Sequence, residues 1–414
     1  MTVTLTQVNQ ITGVTAFSNF SGNQLGRSVV FNPSLPALVF DYAPGGSGIT
    51  VGLIVGSTQQ QLYTSATGGS NVLACDIPVI FFANYILTGG NVCGQSGCLQ
   101  NGSDACGPWF ISYNLQNNTY SQNCTAEPSN SITAGLQDVI IDYVNQQVYL
   151  YHIGGSATTL VLFAIPFSAL PSFLANLQPP SSYKVAYLSI PNPPTSLSVY
   201  TLNAVYYNQT FYFGAGSNNG AYIYVVPYSS ISWSSSYPSS PQSVGTLYQV
   251  VSTSGSSHAT FLFLNYYVSS GSIVTEILVY FTINASGTTP IGGARTSLYI
   301  ASFNLSTNSS TTLFSLSNVN VTPGAINLGG ILVFANFTST TSAVIGVYDR
   351  KTNSYETSQT LSNILGVKLA EPYYAVVFSG SASSLTITIY QVLVDVVPAI
   401  QNLTYSNGTL SGTV

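Results

Sequence analysis

The sequence predicts an all-β protein, a β-propeller of seven blades over residues 1–397, followed by the start of a small β-sandwich-like segment. Two observations support this prediction. Apolar runs of four to eight residues recur along the chain, separated by turn signals such as Asn-Gln, Ser-Gly and Gly-Gly. A strand-and-turn pattern also repeats about every 56 residues, and such a period is typical of propellers.

The repeat is most regular where a strand ends in a polar residue, a glycine or a proline. Taking that residue as an anchor gives the series Gly56, Asn114, Pro166, Pro227, Asn304, Asp349 and Gln391. The third and fourth units match best, with FAIPFSAL against YVVPYSSI. A six-bladed ring or a pair of β-sandwiches is an alternative arrangement of the same strands.

One unit shows why a propeller is favoured. Residues 138–173 contain three apolar runs with almost no charge, as expected for a sheet buried on both faces by its neighbours. The stretch TVTLTQV at residues 2–8 is expected to close the ring against the last blade. Insertions are expected at 89–107, 229–257 and 284–295, where the pattern is interrupted.

The pattern changes after residue 397. Residues 398–414, PAIQNLTYSNGTLSGTV, resemble a linker and the first strand of a further β domain that continues beyond them. At the other end, MTVTLTQVNQITGVTAF has neither a basic region nor a continuous apolar run, so it does not read as a secretory signal. Two explanations remain: a removed signal with an added Met, or export by another route such as virion assembly.

Charge is unusually scarce. Charged residues make up 4% of the chain, against about 25% in ordinary soluble domains. The net charge of −5 offers no basic surface for nucleic acid. The most membrane-like run, 158–177, contains Pro166 and Pro171 and reads as a strand and turn. With few carboxylates to protonate, the chain suits an acidic exterior; a neutral extracellular protein is the alternative.

Cysteines and sequons both point outside the cell. Cys93, Cys98, Cys106 and Cys124 lack the C-x2-C spacing of zinc sites, so disulfides within an insertion are predicted; Cys75 makes the number odd. Twelve N-x-S/T sequons predict glycosylation, chiefly where they fall in turns. They are Asn19, Asn101, Asn117, Asn123, Asn208, Asn284, Asn304, Asn308, Asn320, Asn336, Asn402 and Asn407, and the favoured ones are Asn101, Asn117, Asn208, Asn284, Asn308 and Asn336.

No catalytic, cofactor or metal site is predicted. The chain lacks G-x-S-x-G, H-E-x-x-H, P-loop and G-x-G-x-x-G motifs, and GAGSNNG at 214–220 reads as a hairpin loop. Asp138 and Asp142 lie about 13 Å apart on one strand face, too far for a glycosidase pair, so a structural role at turns is favoured. Glu276, Asp349 and Glu371 lie in different blades, and His152 and His258 are isolated.

Aromatic and hydroxyl groups take the place of charges. The chain has 29 Tyr, and NAVYYNQTFYF (203–213) and SSISWSSSY (229–237) are candidate exposed clusters for sugar rings; burial in the blade core is the alternative.

Together, the Met start without a signal, the scarce charge, the dense sequons and PAIQNLTYSNGTLSGTV resemble the N-terminal part of the large tail or end-fibre virion protein of spindle-shaped archaeal viruses, the fuselloviruses. This resemblance implies a glycosylated structural protein at the virion surface that helps attach to the host. Expected partners are other virion tail proteins, a host-surface glycan or glycoprotein, and further copies of the chain. The alternatives are a cellular S-layer-associated or filament glycoprotein, and an extracellular carbohydrate-active enzyme.

Overall fold

The computed structural model describes most of the chain. The undescribed residues are 1, 16, 18–24, 33–36, 43–49, 57, 65–78, 83, 94–105, 125–135, 154–155, 157, 178–179, 198–203, 254–256, 284–294, 371, 382, 396–400, 407–408 and 414. Several predicted positions therefore lie outside the described residues, namely Asn19, Cys75, Cys98, Asn101, Asn284, Glu371 and Asn407.

The first four sheets are antiparallel meanders, to which the third adds one short parallel strand from later in the chain. The first contains β2 (Leu25–Asn32), β3 (Ala37–Tyr42), β4 (Thr50–Val55) and β5 (Thr58–Thr64). The second contains β6 (Val79–Phe82), β7 (Tyr85–Cys93), β8 (Cys106–Asn114) and β9 (Thr119–Cys124). The third contains β10 (Leu136–Asp142), β11 (Gln147–Ile153), β12 (Thr159–Pro166), β13 (Lys184–Ser189) and the short parallel β17 (Gln242–Ser243). The fourth contains β14 (Ala204–Tyr207), β15 (Thr210–Ser217), β16 (Gly220–Pro227) and β18 (Thr246–Ser252).

The remaining strands form a seven-stranded fifth sheet, a last sheet and a hairpin. The fifth sheet contains β19 (Ser257–Ser269), β20 (Ser272–Ile283), β21 (Arg295–Asn304), β22 (Ser309–Asn327), β23 (Ile331–Ser339), β24 (Ser342–Asp349) and β25 (Ser354–Ser362). The last sheet contains β26 (Ile364–Ala370), β27 (Tyr374–Ser381), β28 (Ser384–Asp395) and β1 (Thr2–Val14). The hairpin pairs β29 (Gln401–Ser406) with β30 (Thr409–Thr413).

These sheets form a ring that resembles a β-propeller, as predicted. The fifth sheet is divided by β22, which pairs with β21 through residues 309–321 and with β23 through residues 321–327. One long strand therefore ends one meander and begins the next. If the fifth sheet is counted as two blades that share β22, the ring has the expected seven blades; that number stays a prediction.

The seven anchors taken from the sequence mark the third strands. Asn114, Pro166, Pro227, Asn304 and Asp349 are the last residues of β8, β12, β16, β21 and β24. Gly56 directly follows β4, and Gln391 lies within β28. At the five strand ends, the polar residue or proline ends the strand and starts a turn.

The N-terminal strand closes the ring, also as predicted. β1 pairs antiparallel with β28 from Thr2 opposite Asp395 to Val14 opposite Leu385, with two bulges. The last sheet thus contains both ends of the ring, and its outer strand comes from the start of the chain. The predicted closing segment, 2–8, is the first half of this strand.

Side chains of the third sheet point alternately to two buried faces, and this explains why its sequence is so apolar. On β11 and β12, Tyr149, Tyr151, Leu160 and Leu162 pack in a core shared with Phe211 of the fourth sheet. The residues between them, such as Val148, Leu150, Val161 and Phe163, pack in another core with Leu87 of the second sheet. Successive side chains of a strand point to opposite faces, so both faces must be apolar.

Two features differ from the simplest expectation. A helix, α1 (Leu170–Asn176), follows β12 and buries Leu170, Phe173 and Leu174, with Pro171 in its first turn. Residues 401–406 and 409–413 pair as two antiparallel strands where a single strand was expected, and their assignment to a further domain stays a prediction. Among the described residues, no helix combines the length and apolar character needed to cross a membrane.

Candidate binding surface

In most meanders of the ring, the turn that follows the third strand lies beside the turn between the first two strands. In six cases, the N–H of the residue after an anchor donates a hydrogen bond to a carbonyl at or near the turn between the first two strands of the same meander. These bonds run from Leu115 to Asn84, Phe167 to Gln146, Tyr228 to Gln209, Leu305 to Thr275, Arg350 to Gly330 and Val392 to Tyr373. We call the surface formed by these turns the turn face.

The turn face exposes apolar side chains on the third and fifth sheets. Tyr143 and Val144 in the β10–β11 turn are 74% and 90% exposed. On the β19–β20 hairpin, Tyr266, Val268 and Ile273 are exposed, and the Tyr266 ring lies 6.2 Å from that of Tyr207 in the fourth sheet. These five account for most of the large apolar side chains that the described residues expose, so the turn face differs from the rest of that surface.

A buried carboxylate holds the β10–β11 turn. Asp142 Oδ1 accepts hydrogen bonds from the backbone N–H groups of Val144 and Asn145, both at 3.0 Å. Its Oδ2 accepts a 2.7 Å bond from Asn145 Nδ2 and lies 3.5 Å from the hydroxyl of Tyr149. An Asx turn of this kind fixes the loop that displays Tyr143 and Val144.

Beneath this turn lies an aromatic cluster, which we define as Tyr149, Tyr206, Phe211, Tyr228 and Trp233. Tyr149 is fully buried at its centre, and its ring centroid lies 4.9–6.4 Å from those of the other four. Three members keep half-buried rings, namely Tyr206, Tyr228 and Trp233. The cluster joins the third and fourth sheets.

The sequence placed these rings in two separate segments. Tyr206 and Phe211 belong to the 203–213 candidate and Trp233 to the 229–237 candidate, and the structure brings the two together. The alternative of burial in the blade core holds for Phe211 and Phe213, which are completely buried between the sheets. Tyr149, which the sequence did not single out, connects them.

The cluster contains unpaired and neutral polar groups. Trp233 Nε1 is buried and has no hydrogen-bond acceptor among the described residues. Burial raises the pKa of Tyr206 and of Tyr228, and the nearby negative charge of Asp142 raises both further. Burial also raises the pKa of Tyr149, with smaller effects from Tyr206, Tyr228 and Asp142. The phenols therefore stay protonated at physiological pH and act as neutral donors and acceptors.

A second polar cluster supports the β19–β20 hairpin. Glu276 is fully buried, and its carboxylate accepts hydrogen bonds from Arg350 Nε at 3.0 Å and from Arg350 Nη2 at 3.2 Å, which makes a bidentate ion pair. Asn265 Nδ2 donates a 2.9 Å bond to the same carboxylate, and the Ser302 hydroxyl donates another. The Arg350 guanidinium also lies 4.4 Å from the ring centroid of Tyr267. Arg350 thus links the β24–β25 turn to the hairpin.

Burial and ion pairing act in opposite directions on the pKa of Arg350. Burial lowers the pKa of its guanidinium, but hydrogen bonds to Glu276 and the charge of that carboxylate raise it, and the net change is upward. All carboxylate oxygens of Glu276 are engaged, so its role is structural.

Asp138, Asp349 and His152 are also engaged in structure. Asp138 accepts a 2.7 Å bond from the Ala204 N–H and so ties the third sheet to the fourth, in the structural role expected of it. Asp349 accepts bonds from the Lys351 N–H and the Thr352 hydroxyl in its own turn. His152 is buried and stacks on Phe163.

The GAGSNNG segment belongs to the β15–β16 hairpin. Within the described part of the chain, no three His, Cys, Asp or Glu residues are placed to hold a metal ion.

The sequons divide into turn and strand positions. Asn117, Asn208 and Asn308 lie in exposed turns, as expected for acceptors. Asn336 was expected in a turn, which was wrong: it lies half-buried in β23, and its side-chain oxygen accepts a 2.9 Å bond from the Asn320 N–H. The remaining sequons with a described backbone lie in or at the end of strands, namely Asn123, Asn304, Asn320 and Asn402.

Comparisons with known proteins reveal similarity of fold alone. No family model and no curated protein matches the chain. A solved polysaccharide lyase, an ulvan lyase bound to a saccharide, is similar with a TM-score of 0.52 and 10% identity, covering 93% of this chain and 96% of the other. The β-propeller domain of the Trilobed protease from Pyrococcus furiosus is similar with a TM-score of 0.41 and 9% identity, covering 90% and 94%. A mitotic checkpoint complex chain has a TM-score of 0.45 and 9% identity, covering 94% and 96%.

Proposed function

We propose that this chain is a glycosylated structural protein of a virion tail or spike that attaches the particle to the host surface, and that the aromatic cluster binds a host glycan. The observation on which the proposal rests is the half-buried group Tyr206, Tyr228 and Trp233, with an indole N–H that no described protein group pairs. Flat rings with polar edges suit sugar rings, which have apolar faces and hydroxyl rims.

The chemistry of the cluster favours a neutral saccharide. Asp142 already accepts hydrogen bonds from its own turn, so the site offers neutral phenol hydroxyls and one indole N–H donor. A sugar hydroxyl that accepts from Trp233 Nε1 would satisfy a donor that the described protein groups leave unpaired. The exposed residues Tyr143 and Val144 extend the surface beside the cluster.

Composition and sequons support the exterior placement. Low charge suits exposure to acid, and turn sequons such as Asn117 and Asn308 place glycans in solvent. Asn208 is two residues from Tyr206, so a glycan at this sequon would lie close to the cluster. Other tail proteins and further copies of the chain are the proposed assembly partners.

Tryptophan fluorescence tests the proposal directly, because the chain has two Trp. Trp109→Phe leaves Trp233 as the sole reporter. We expect the Trp233 emission to shift when a neutral oligosaccharide prepared from the host envelope is added. Trp233→Ala should weaken binding about tenfold, through loss of a stacked ring and one hydrogen bond. Asn208→Gln should be measured in parallel to remove any glycan that covers the site.

A matched control comes from the same segment. Tyr237 is half-buried and packs on Tyr187, in a different core from the cluster, so Tyr237→Ala should leave affinity unchanged. Envelope binding that is insensitive to Trp233→Ala and to Tyr206→Ala would refute the cluster as the site. A native protein that binds neither host envelopes nor their glycans would refute the attachment function itself.

A further inference from the structure

The second sheet places two cysteines opposite each other. β7 ends at Cys93 and β8 begins at Cys106, and these residues are backbone partners in a ladder that extends from Tyr85 opposite Asn114 without a bulge. Such positional pairing of two cysteines does not follow from their sequence spacing, which alone left every combination of the four predicted cysteines open.

A single hydrogen bond fixes the type of this pair. The Leu115 N–H donates to the Asn84 carbonyl at 2.8 Å, one position outside the ladder, so Asn84 and Leu115 face each other as a hydrogen-bonded pair. Hydrogen-bonded and non-hydrogen-bonded pairs alternate along an antiparallel ladder. Cys93 lies nine positions from Asn84, an odd number, so Cys93 and Cys106 form a non-hydrogen-bonded pair.

Pairs of this type bring Cα atoms to about 4.5 Å, with the side chains closer than in the alternating pairs. Disulfides span Cα separations of about 4.4–6.8 Å. We therefore infer that Cys93 and Cys106 form a cross-strand disulfide that joins β7 to β8 at the last residue pair of their ladder.

The same register excludes the third described cysteine. Cys124 in β9 is opposite Trp109, three residues along β8 from Cys106. Three residues of strand and one inter-strand step place the Cα atoms of Cys106 and Cys124 about 11 Å apart, beyond the reach of a disulfide. Cys124 is farther still from Cys93, because β8 lies between their strands.

The oxidation needs a disulfide-bonded oxidant, such as a small-molecule disulfide or a thiol-disulfide oxidoreductase. One cysteine thiolate attacks the oxidant and releases its first thiol, giving a mixed disulfide. The second cysteine thiolate then attacks the protein sulfur of that mixed disulfide and releases the second thiol. Two electrons and two protons pass from the cysteine pair to the oxidant, which becomes two thiols.

Peptide mapping of the full-length protein under non-reducing conditions tests this inference. After incubation with glutathione disulfide and alkylation of free thiols, we expect one cross-linked peptide pair that contains Cys93 and Cys106. Cys93→Ser should make Cys106 available to alkylation, whereas Cys124→Ser should leave the Cys93–Cys106 link intact.

Any other partner for Cys93 or Cys106, or alkylation of both in the oxidised protein, would overturn the inference. Glycan binding provides a separate readout, because the aromatic cluster lies in the third and fourth sheets. Cys93→Ser should leave saccharide affinity unchanged, so the disulfide and the proposed function can fail independently.

Discussion

Buried tyrosines should make this protein sensitive to alkali. Tyr113, Tyr149, Tyr224 and Tyr348 are fully buried, and burial raises the pKa of each above its ordinary value. A neutral phenol tolerates the core, but a phenolate does not. Unfolding returns each hydroxyl to water, where it ionises near pH 10.

Tyr348 gives the magnitude for one residue. Burial raises its pKa from 10.0 to about 12, with the charge of Arg350 lowering it and those of Glu276 and Asp349 raising it. The folded protein thus holds this proton more tightly than the unfolded chain. The stabilisation is fully present below about pH 10 and is lost as pH rises through about 12. Two pKa units correspond to about 2–3 kcal/mol of unfolding free energy.

The assay combines denaturant melts at pH 7, 9, 11 and 12 with absorbance titration of tyrosine at 295 nm. The unfolding free energy should fall steeply above pH 10, and a group of tyrosines should ionise only as the fold is lost. In Tyr348→Phe, the hydroxyl that donates to Asn353 Oδ1 at 2.7 Å is gone, which costs about 0.5–1.5 kcal/mol at pH 7. Its alkaline loss should then be smaller than that of the wild type by about 2–3 kcal/mol.

The control is Tyr143→Phe, because Tyr143 is 74% exposed and its hydroxyl contributes little to the core. This variant should show the alkaline loss of the wild type. Titration of every tyrosine near pH 10 with the fold intact would refute the reasoning. So would an alkaline loss in Tyr348→Phe that equals the wild-type value.

Three further predictions follow from the same structure. Acidification from pH 7 to about 3 should cost far less stability than in a protein of ordinary charge, because at most eleven Asp and Glu carboxylates can take up protons. Denaturant melts at both pH values check this. A collapse of the unfolding free energy at pH 3 would identify the buried Asp142, Glu276 and Asp349 as essential. Arg350→Met should lower the unfolding free energy by about 3–5 kcal/mol, because it leaves the Glu276 carboxylate buried without its partner. The double variant Glu276→Gln with Arg350→Met should lose less unfolding free energy than the two single variants summed. Additive losses would argue against the ion pair. Glycopeptide mapping of native protein should find sugar at Asn117, Asn208 and Asn308 and none at Asn336, and the reverse pattern would contradict the exposure argument.

The sequence was sufficient to predict the strand repeat, because strand ends leave a local chemical signal. Pro166 and Pro227 end third strands and start equivalent turns, and Asn304 accepts hydrogen bonds from the N–H groups of Ser306 and Thr307 in its turn. The closing strand was also predictable, since an apolar-alternating N-terminus needs a sheet edge to pair with.

Other features carry no local signal. β22 continues through the boundary between two meanders although Pro323 and Gly324 lie inside it, a pair that normally signals a turn, so the local sequence does not predict one continuous strand. Glu276 and Arg350 are 74 residues apart, and the pairing depends on how two meanders meet. The aromatic cluster was half predictable: its two segments are rich in rings, but their convergence on Tyr149 is a property of packing between sheets.

The attachment proposal is tested most directly by locating the chain in its native setting. Gold-labelled antibodies against this protein should mark one end of released virus particles, on their outer surface, and should block adsorption of those particles to host cells. Label confined to the envelope of uninfected cells would contradict the viral assignment and favour a cellular surface glycoprotein. Label on particles with no effect of the antibody on adsorption would contradict the role in attachment.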